Sequence, residues 1–121
     1  MENTRKTQLE ALETLKDFNV KLVKALNEMV PELRGTEKED TWEYMDYVFK
    51  SMNWELQVIN GTLDVLNEKE LCVDKKSLNG IIEQVNDVYV EKRALELAQV
   101  MEVELLPFFK QLQERIDEVC A

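Results

Sequence analysis

Twenty-five carboxylates and no histidine set the chemistry open to this chain. Without imidazole there is no Ser-His or Cys-His pair and no histidine ligand for a metal. The Glu-x-x-His pairs of a ferritin-like di-iron bundle are excluded on the same ground. Cys72 and Cys120 stand too far apart to frame a zinc site. The three glycines are isolated, so no phosphate-cradling loop exists. Magnesium held by carboxylates is what remains. Glu10-x-x-Glu13 and Glu43-x-x-Asp46 each place two carboxylates on one face of a helix. In so acidic a chain the spacing also arises by chance, as at Glu37/Asp40 and Glu114/Asp117. Glu10 and Glu13 fall beside the apolar stripe of their helix, so solvated helix faces are the stronger reading.

Two such pairs on facing helices resemble the metal site of MazG-like nucleotide pyrophosphohydrolases, in which four carboxylates hold the metal that holds the triphosphate. That resemblance implies a Mg-dependent hydrolase, and it stands as the alternative to a binding protein.

The balance of charge points away from several partners. Fifteen Lys and Arg against 25 Asp and Glu leave a net charge of −10. Such a surface repels phosphate backbones and anionic membranes, so neither nucleic acid nor membrane is expected as a partner. No stretch approaches the ~20 apolar residues of a membrane span. The first ten residues, MENTRKTQLE, hold no signal-like apolar run. A cytoplasmic location follows as the expectation, with both thiols free. Asn60-Gly61-Thr62 then matches a glycosylation sequon to no effect.

With 121 residues, 45% of them hydrophobic, the chain fits one domain over residues 1–121. Three Gly and two Pro are too few for the turns of a many-stranded sheet. Thr7-x-x-Glu10 has capping-box form and predicts the start of a first helix. Leu12, Leu15, Phe18, Leu22, Leu26 and Met29 form its stripe, and Pro31 predicts its end at Val30. A loop is expected over 31–39, with a second helix starting near Thr36 or Asp40. In that helix Trp42, Met45, Phe49, Met52, Leu56, Ile59, Leu63 and Leu66 step in heptads. The unbroken phase predicts one helix of about 27 residues crossing Gly61, roughly 40 Å long. A connection at 67–74 leads to a third helix capped by Asp74, carrying Leu78, Ile81, Ile82, Val85 and Tyr89, with the next turn within 86–93. A fourth helix over 94–119 shows Ala98, Met101, Leu105, Phe108, Leu112 and Val119 as its main face, widened by Leu97, Val100, Leu106 and Phe109, and is kinked by Pro107. Four amphipathic segments with short links predict an all-α fold, an antiparallel four-helix bundle. Its core should hold Leu15, Phe18, Leu22, Met52, Leu56, Ile59, Met101, Leu105 and Leu112.

Leu97-Ala98-Gln99-Val100-Met101-Glu102-Val103-Glu104-Leu105-Leu106-Pro107 resembles a C-terminal segment of small uncharacterised bacterial helical proteins, Leu-Ala-Asp-x-Leu-Glu-Tyr-Glu-Leu-x-Pro. Glu102, Glu104, Leu105 and Pro107 keep the pattern; Gln99 and Val103 depart from it. The resemblance implies a helical fold and a bacterial source, and no activity.

The expected function is non-enzymatic: an adaptor or chaperone-like module that binds another protein or a second copy of itself. No catalytic residue, metal or cofactor is expected. Small acidic helical proteins often hold a client helix in an apolar groove, and the five Met residues suit an adaptable surface. Met45, Met52 and Met101, however, stand on core stripes. The candidate partner-binding residues are Tyr44, Tyr47, Ser51, Trp54 and Val58, a second stripe of helix two that runs on to Gly61 and Val65. At ~100° per residue this stripe lies roughly opposite the heptad seam. A bundle helix should be polar there.

Overall fold

The computed structural model describes residues 2–121, with side chains from Thr4 onward. Among these residues it is all-helical, without a strand. The elements are α1 (Glu2–Gly35), α2 (Thr41–Gly61), the single turn α3 (Leu63–Leu66), α4 (Lys75–Val90), α5 (Ala94–Val100), a π-helical turn (Met101–Leu105) and α6 (Leu106–Val119). The last three are continuous. No described helix is long and apolar enough to cross a membrane.

The first helix overruns both expected ends. Thr7 lies inside α1, because the residues ahead of it also suit a helix and the residues on either side of it are tied to the stretch from the end of α2 to just past α3. Arg5 donates to Glu68 at 2.8 Å, and Gln8 donates to the Gly61 carbonyl and to Asp64 at 3.0 and 2.8 Å. At the other end α1 passes through Pro31. A proline inside a helix costs ~3 kcal/mol or more. Val30 and Leu33 are both buried, and each such side chain contributes ~1.5–3 kcal/mol. Asn27, whose carbonyl Pro31 leaves without its N–H, is exposed, so water can take its place. Only 36–40 remain as linker, held by Thr41, which donates to Glu32 at 2.6 Å and accepts from the Lys38 N–H at 2.7 Å.

The second helix falls short of the expected 27 residues. It stops at Gly61 because Thr62 is buried and turns its hydroxyl back onto the Val58 carbonyl at 2.7 Å, while its N–H bonds Ile59 in a tight last turn. The Thr62 carbonyl then starts α3 by accepting from Val65 and Leu66. The inward row is also rotated. Met45, Met52 and Ile59 are buried as expected, but their companions are Thr41, Val48 and Glu55. Trp42, Phe49 and Leu56 flank the core half-buried. Phe18 likewise is only half-buried, so it and Leu56 leave the expected core; the other seven residues of that set are buried.

Asn67 closes the following connection from both ends of its amide. Its Oδ1 accepts from the Cys72 and Val73 N–H groups, and its Nδ2 donates to the Val73 carbonyl, all at 2.9 Å. Arg115 from α6 adds bonds to the Leu66 and Glu70 carbonyls at 3.0 and 3.1 Å. Asp74 caps α4 as expected, accepting from the Lys76 N–H. The next turn falls at 91–93, where Lys92 takes a left-handed φ of 54°. Both cysteines are free thiols.

Pro107 is accommodated by a π-turn just before it, in which the Leu106 N–H bonds the Met101 carbonyl five residues back. The wider turn shifts the buried face forward. Phe109, expected only to widen the face, and Ile116 are fully buried, while Phe108 and Val119 of the expected main face are half-buried.

α1 lies against α2, α5 and α6, and α4 packs on α5. Gln8 meets Asp64, Phe18 meets Trp54 and Glu32 meets Thr41, so α1 and α2 run in opposite directions. Lys16 pairs with Asp117 and Arg34 with Glu102, which reverses α6 against α1 as well.

Leu105 is fully buried in the π-turn. Leu105→Ala should cost ~2–5 kcal/mol in urea denaturation, the usual range for a core leucine. Half-buried Leu56→Ala should cost clearly less. Equal losses at both sites would show that the core is centred on the other flank of α2.

Candidate functional site

The outer stripe of α2 is split by the rotation of its inward row. Because Val48 and Glu55 point into the core, Ser51 and Val58 fall on the flank against α1 and are half-buried. Tyr44, Tyr47 and Trp54 stay outside, at 41%, 66% and 41% exposure, beyond what packing of a bundle helix requires. Tyr44 and Tyr47 stack with ring centroids 6.3 Å apart. Trp54 lies over Phe18 of α1, centroids 4.8 Å apart and rings tilted by 59°. Between these aromatic pairs the α1–α2 seam opens into a groove of about 170 Å³. Its floor is Leu22, Ala25 and Val48; Phe18, Lys21, Tyr44, Tyr47 and Ser51 form the walls. Six of the eight are apolar or aromatic, three from α1 and three from α2, and Lys21 is the only charge among them.

Tyr89 anchors the opposite flank of α2. Its ring packs edge-on to Phe49 at 4.8 Å and near Trp42 at 6.2 Å. Its hydroxyl donates to Asp46 at 2.8 Å, and Lys50 pairs with the same carboxylate at 3.3 Å. The Tyr89 and Lys50 bonds hold Asp46 below its usual carboxylate range. Burial, reinforced by the Asp46 charge, pushes the Tyr89 phenol up to about 12.

The paired carboxylates do not converge. With Gln8 level with Asp64 and Phe18 level with Trp54, Glu10 and Glu13 stand opposite the end of α2. Asp46 is about fourteen residues away along that helix, roughly 20 Å at ~1.5 Å per residue. Glu10, Glu13 and Glu43 are exposed, and Asp46 is engaged by Tyr89. Among the described residues, no three Cys, Asp or Glu side chains are grouped as a metal site.

Sequence reasoning missed Glu55. It reads as part of the polar flank, yet it is fully buried, and neither carboxylate oxygen has a hydrogen-bond partner. Burial alone pushes its carboxyl up to about 8. Asn19 of α1 is also fully buried. It donates to the Phe109 carbonyl at 3.0 Å and to Gln113 at 2.9 Å, while its own Oδ1 has no partner. The available signal was periodic: 41, 45, 48, 52, 55 and 59 also step by threes and fours. Thr41 and Glu55 made that row look less apolar than its neighbour.

Residues 10–115 match the family described as Domain of unknown function (DUF8042), and the chain belongs to that family. Neither the curated proteins nor the solved structures contain a match to it.

Tyr44 and Tyr47 touch each other and the groove more than the core. A Tyr44→Ser, Tyr47→Ser double variant should therefore keep its stability within ~1 kcal/mol of the parent in urea denaturation, as two surface changes of ~0.5 kcal/mol or less would. A loss of several kcal/mol would make the stripe part of the folding core rather than a surface.

Proposed function

We propose that this member of the family is a non-enzymatic protein-interaction module, adaptor or chaperone-like, that binds through the outer face of α2. The observation that carries this reading is the exposure of Tyr44, Tyr47 and Trp54 on one helix face beside an apolar groove. Tyrosine and tryptophan supply large apolar area with few rotatable bonds and a polar tip, and they dominate the energetics of protein interfaces. Scattered exposed apolar residues need no explanation. Three aromatics contiguous with one groove form a patch. A partner helix laid along the seam would bury that patch, fit its apolar side chains over Leu22, Ala25 and Val48, and meet Lys21 with an acidic group. A second copy of the chain is one such partner, since two-fold pairing is the commonest assembly of soluble proteins.

The scaffold in this reading is an antiparallel four-helix bundle formed by α1, α2, α4 and the α5–α6 rod. The opposite directions of α2 and α6 against α1 support it, as do the short turns at 36–40 and 91–93. A bacterial, cytoplasmic protein accords with the acidic composition and with the segment Leu97–Pro107.

Sedimentation of the parent beside a Tyr47→Glu, Trp54→Glu variant tests the interface. The parent should associate with itself at high concentration, or retain a protein partner on a column, and the variant should do neither while keeping its helical content. A monomeric parent whose partners are all retained by the variant would remove this face as the interface.

A further inference from the structure

Helix geometry sets Asn19 and Glu55 on the same side of the α1–α2 seam, about one turn apart at most. Phe18 and Trp54, one residue before each, meet ring to ring at 4.8 Å. In oppositely directed helices one further step of ~100° on each turns both side chains from the outer side of the seam to the core side. Both are fully buried there. Asn19 uses both amide hydrogens, on Phe109 and Gln113, which orients its Oδ1 as an acceptor awaiting a donor. An ionised Glu55 only accepts, and would leave three buried oxygens without a hydrogen among them. A protonated Glu55 has the one donor this layer lacks.

We propose that Glu55 is a structural proton-binding site: the protein folds with Glu55 neutral, and its carboxyl O–H donates to Oδ1 of Asn19. The bond completes a polar bridge from α2 through Asn19 of α1 to Phe109 and Gln113 of α6, within an apolar layer where such bonds are strong.

No charge opposes this protonation. Burial is the sole influence on Glu55. The inward residues of the surrounding elements, among them Leu15 on α1, Val85 on α4, Leu105 on the π-turn and Leu112 on α6, do not titrate. The ionisable groups of these elements are exposed or at the edge of the core: Lys16, Asp17 and Lys21 on α1, Lys50 on α2, Glu83, Asp87 and Tyr89 on α4, Glu96 on α5, Glu102 and Glu104 on the π-turn, and Lys110, Glu114 and Arg115 on α6, with Tyr89 engaged by Asp46 and Arg115 by Glu70. The pH dependence has one sign. Glu55 in the folded protein releases its proton near pH 8, against about 4.5 when unfolded, so between these limits the folded state binds one proton more. Its stabilisation is complete below the lower limit and is lost as pH rises to the upper one, by up to about tenfold in the folding constant per pH unit.

The test is urea denaturation of the parent, Glu55→Gln and Glu55→Leu at a series of pH values spanning this window, with infrared spectra of each at pH 7. Surface charges act alike on all three, so the difference between curves isolates Glu55. The folding constant of the parent should fall by up to about tenfold per pH unit relative to Glu55→Gln. The parent should also show the carbonyl stretch of a protonated carboxylic acid, absent from both variants. In Asn19→Leu that stretch should move to the frequency of a free acid. Should Glu55→Gln fail to fold, Glu55→Leu supplies the reference curve, and the infrared band of the parent needs no variant. Parallel pH curves, or ionised carboxylate bands alone in the parent, would overturn the proton site. A stretch unmoved by Asn19→Leu would overturn Asn19 as its acceptor.

Discussion

The apolar stripe of α1 is the constraint on which the rest of the chain depends. Leu12, Leu15, Leu22, Leu26, Met29, Val30 and Leu33 are buried along one rod of 34 residues, roughly 50 Å long. α2, α5 and α6 are laid against it. A rod this long cannot be interrupted at Pro31 without releasing Val30 and Leu33 from the same core, which is why the proline is tolerated inside it. The polar ties along α1, from Arg5 and Gln8 at one end to Arg34 at the other, are mostly exposed and individually weak. Their value is in register: they fix which turn of each neighbour faces which turn of α1.

Much of this was legible in the residues. The helical class, the Asp74 cap, the turn before Ala94 and seven of nine expected core positions follow from periodicity and capping chemistry alone. The misses share a cause: local rules were overruled by partners distant in sequence. Thr7 carries a capping motif but sits where neighbours give the preceding turn something to hold. Gly61 keeps the heptad phase, yet a buried threonine hydroxyl next to it ends the helix, and no pattern of apolar residues reports that. The candidate surface was legible as a stripe but not in its division, because two interleaved rows of α2 both have helical spacing. Only the position of α1 decides that Ser51 and Val58 lie against it while Tyr47 stays in water.

The two flanks of α2 solve different problems. Towards α4, Tyr89 satisfies its hydroxyl on Asp46 and joins an aromatic cluster that borders a cavity of about 330 Å³ between Phe49 and Ile82. Towards α1 the aromatic rings cover one another at the rim and leave the groove between them open. The core beneath is the one place where α2 buries an acid. The helix thus buries its one interior acid beside Trp54, so Glu55 and the end of the exposed aromatic row share a turn.

The π-turn at Met101–Leu105 also bears on how the chain can have changed in descent. A five-residue backbone loop within an otherwise regular rod has the form left by inserting a single residue into an α-helix. Removing one residue from that turn would restore ordinary bonding but swing everything after it by ~100°. Phe109, Leu112 and Ile116 would leave the core together, and Arg115 would lose Leu66 and Glu70. Point replacement can proceed around this turn one residue at a time, whereas a change of length there has to be matched at once by the whole of α6. Among relatives, the distance from Met101 to Ile116 should accordingly be the least elastic interval in the C-terminal half.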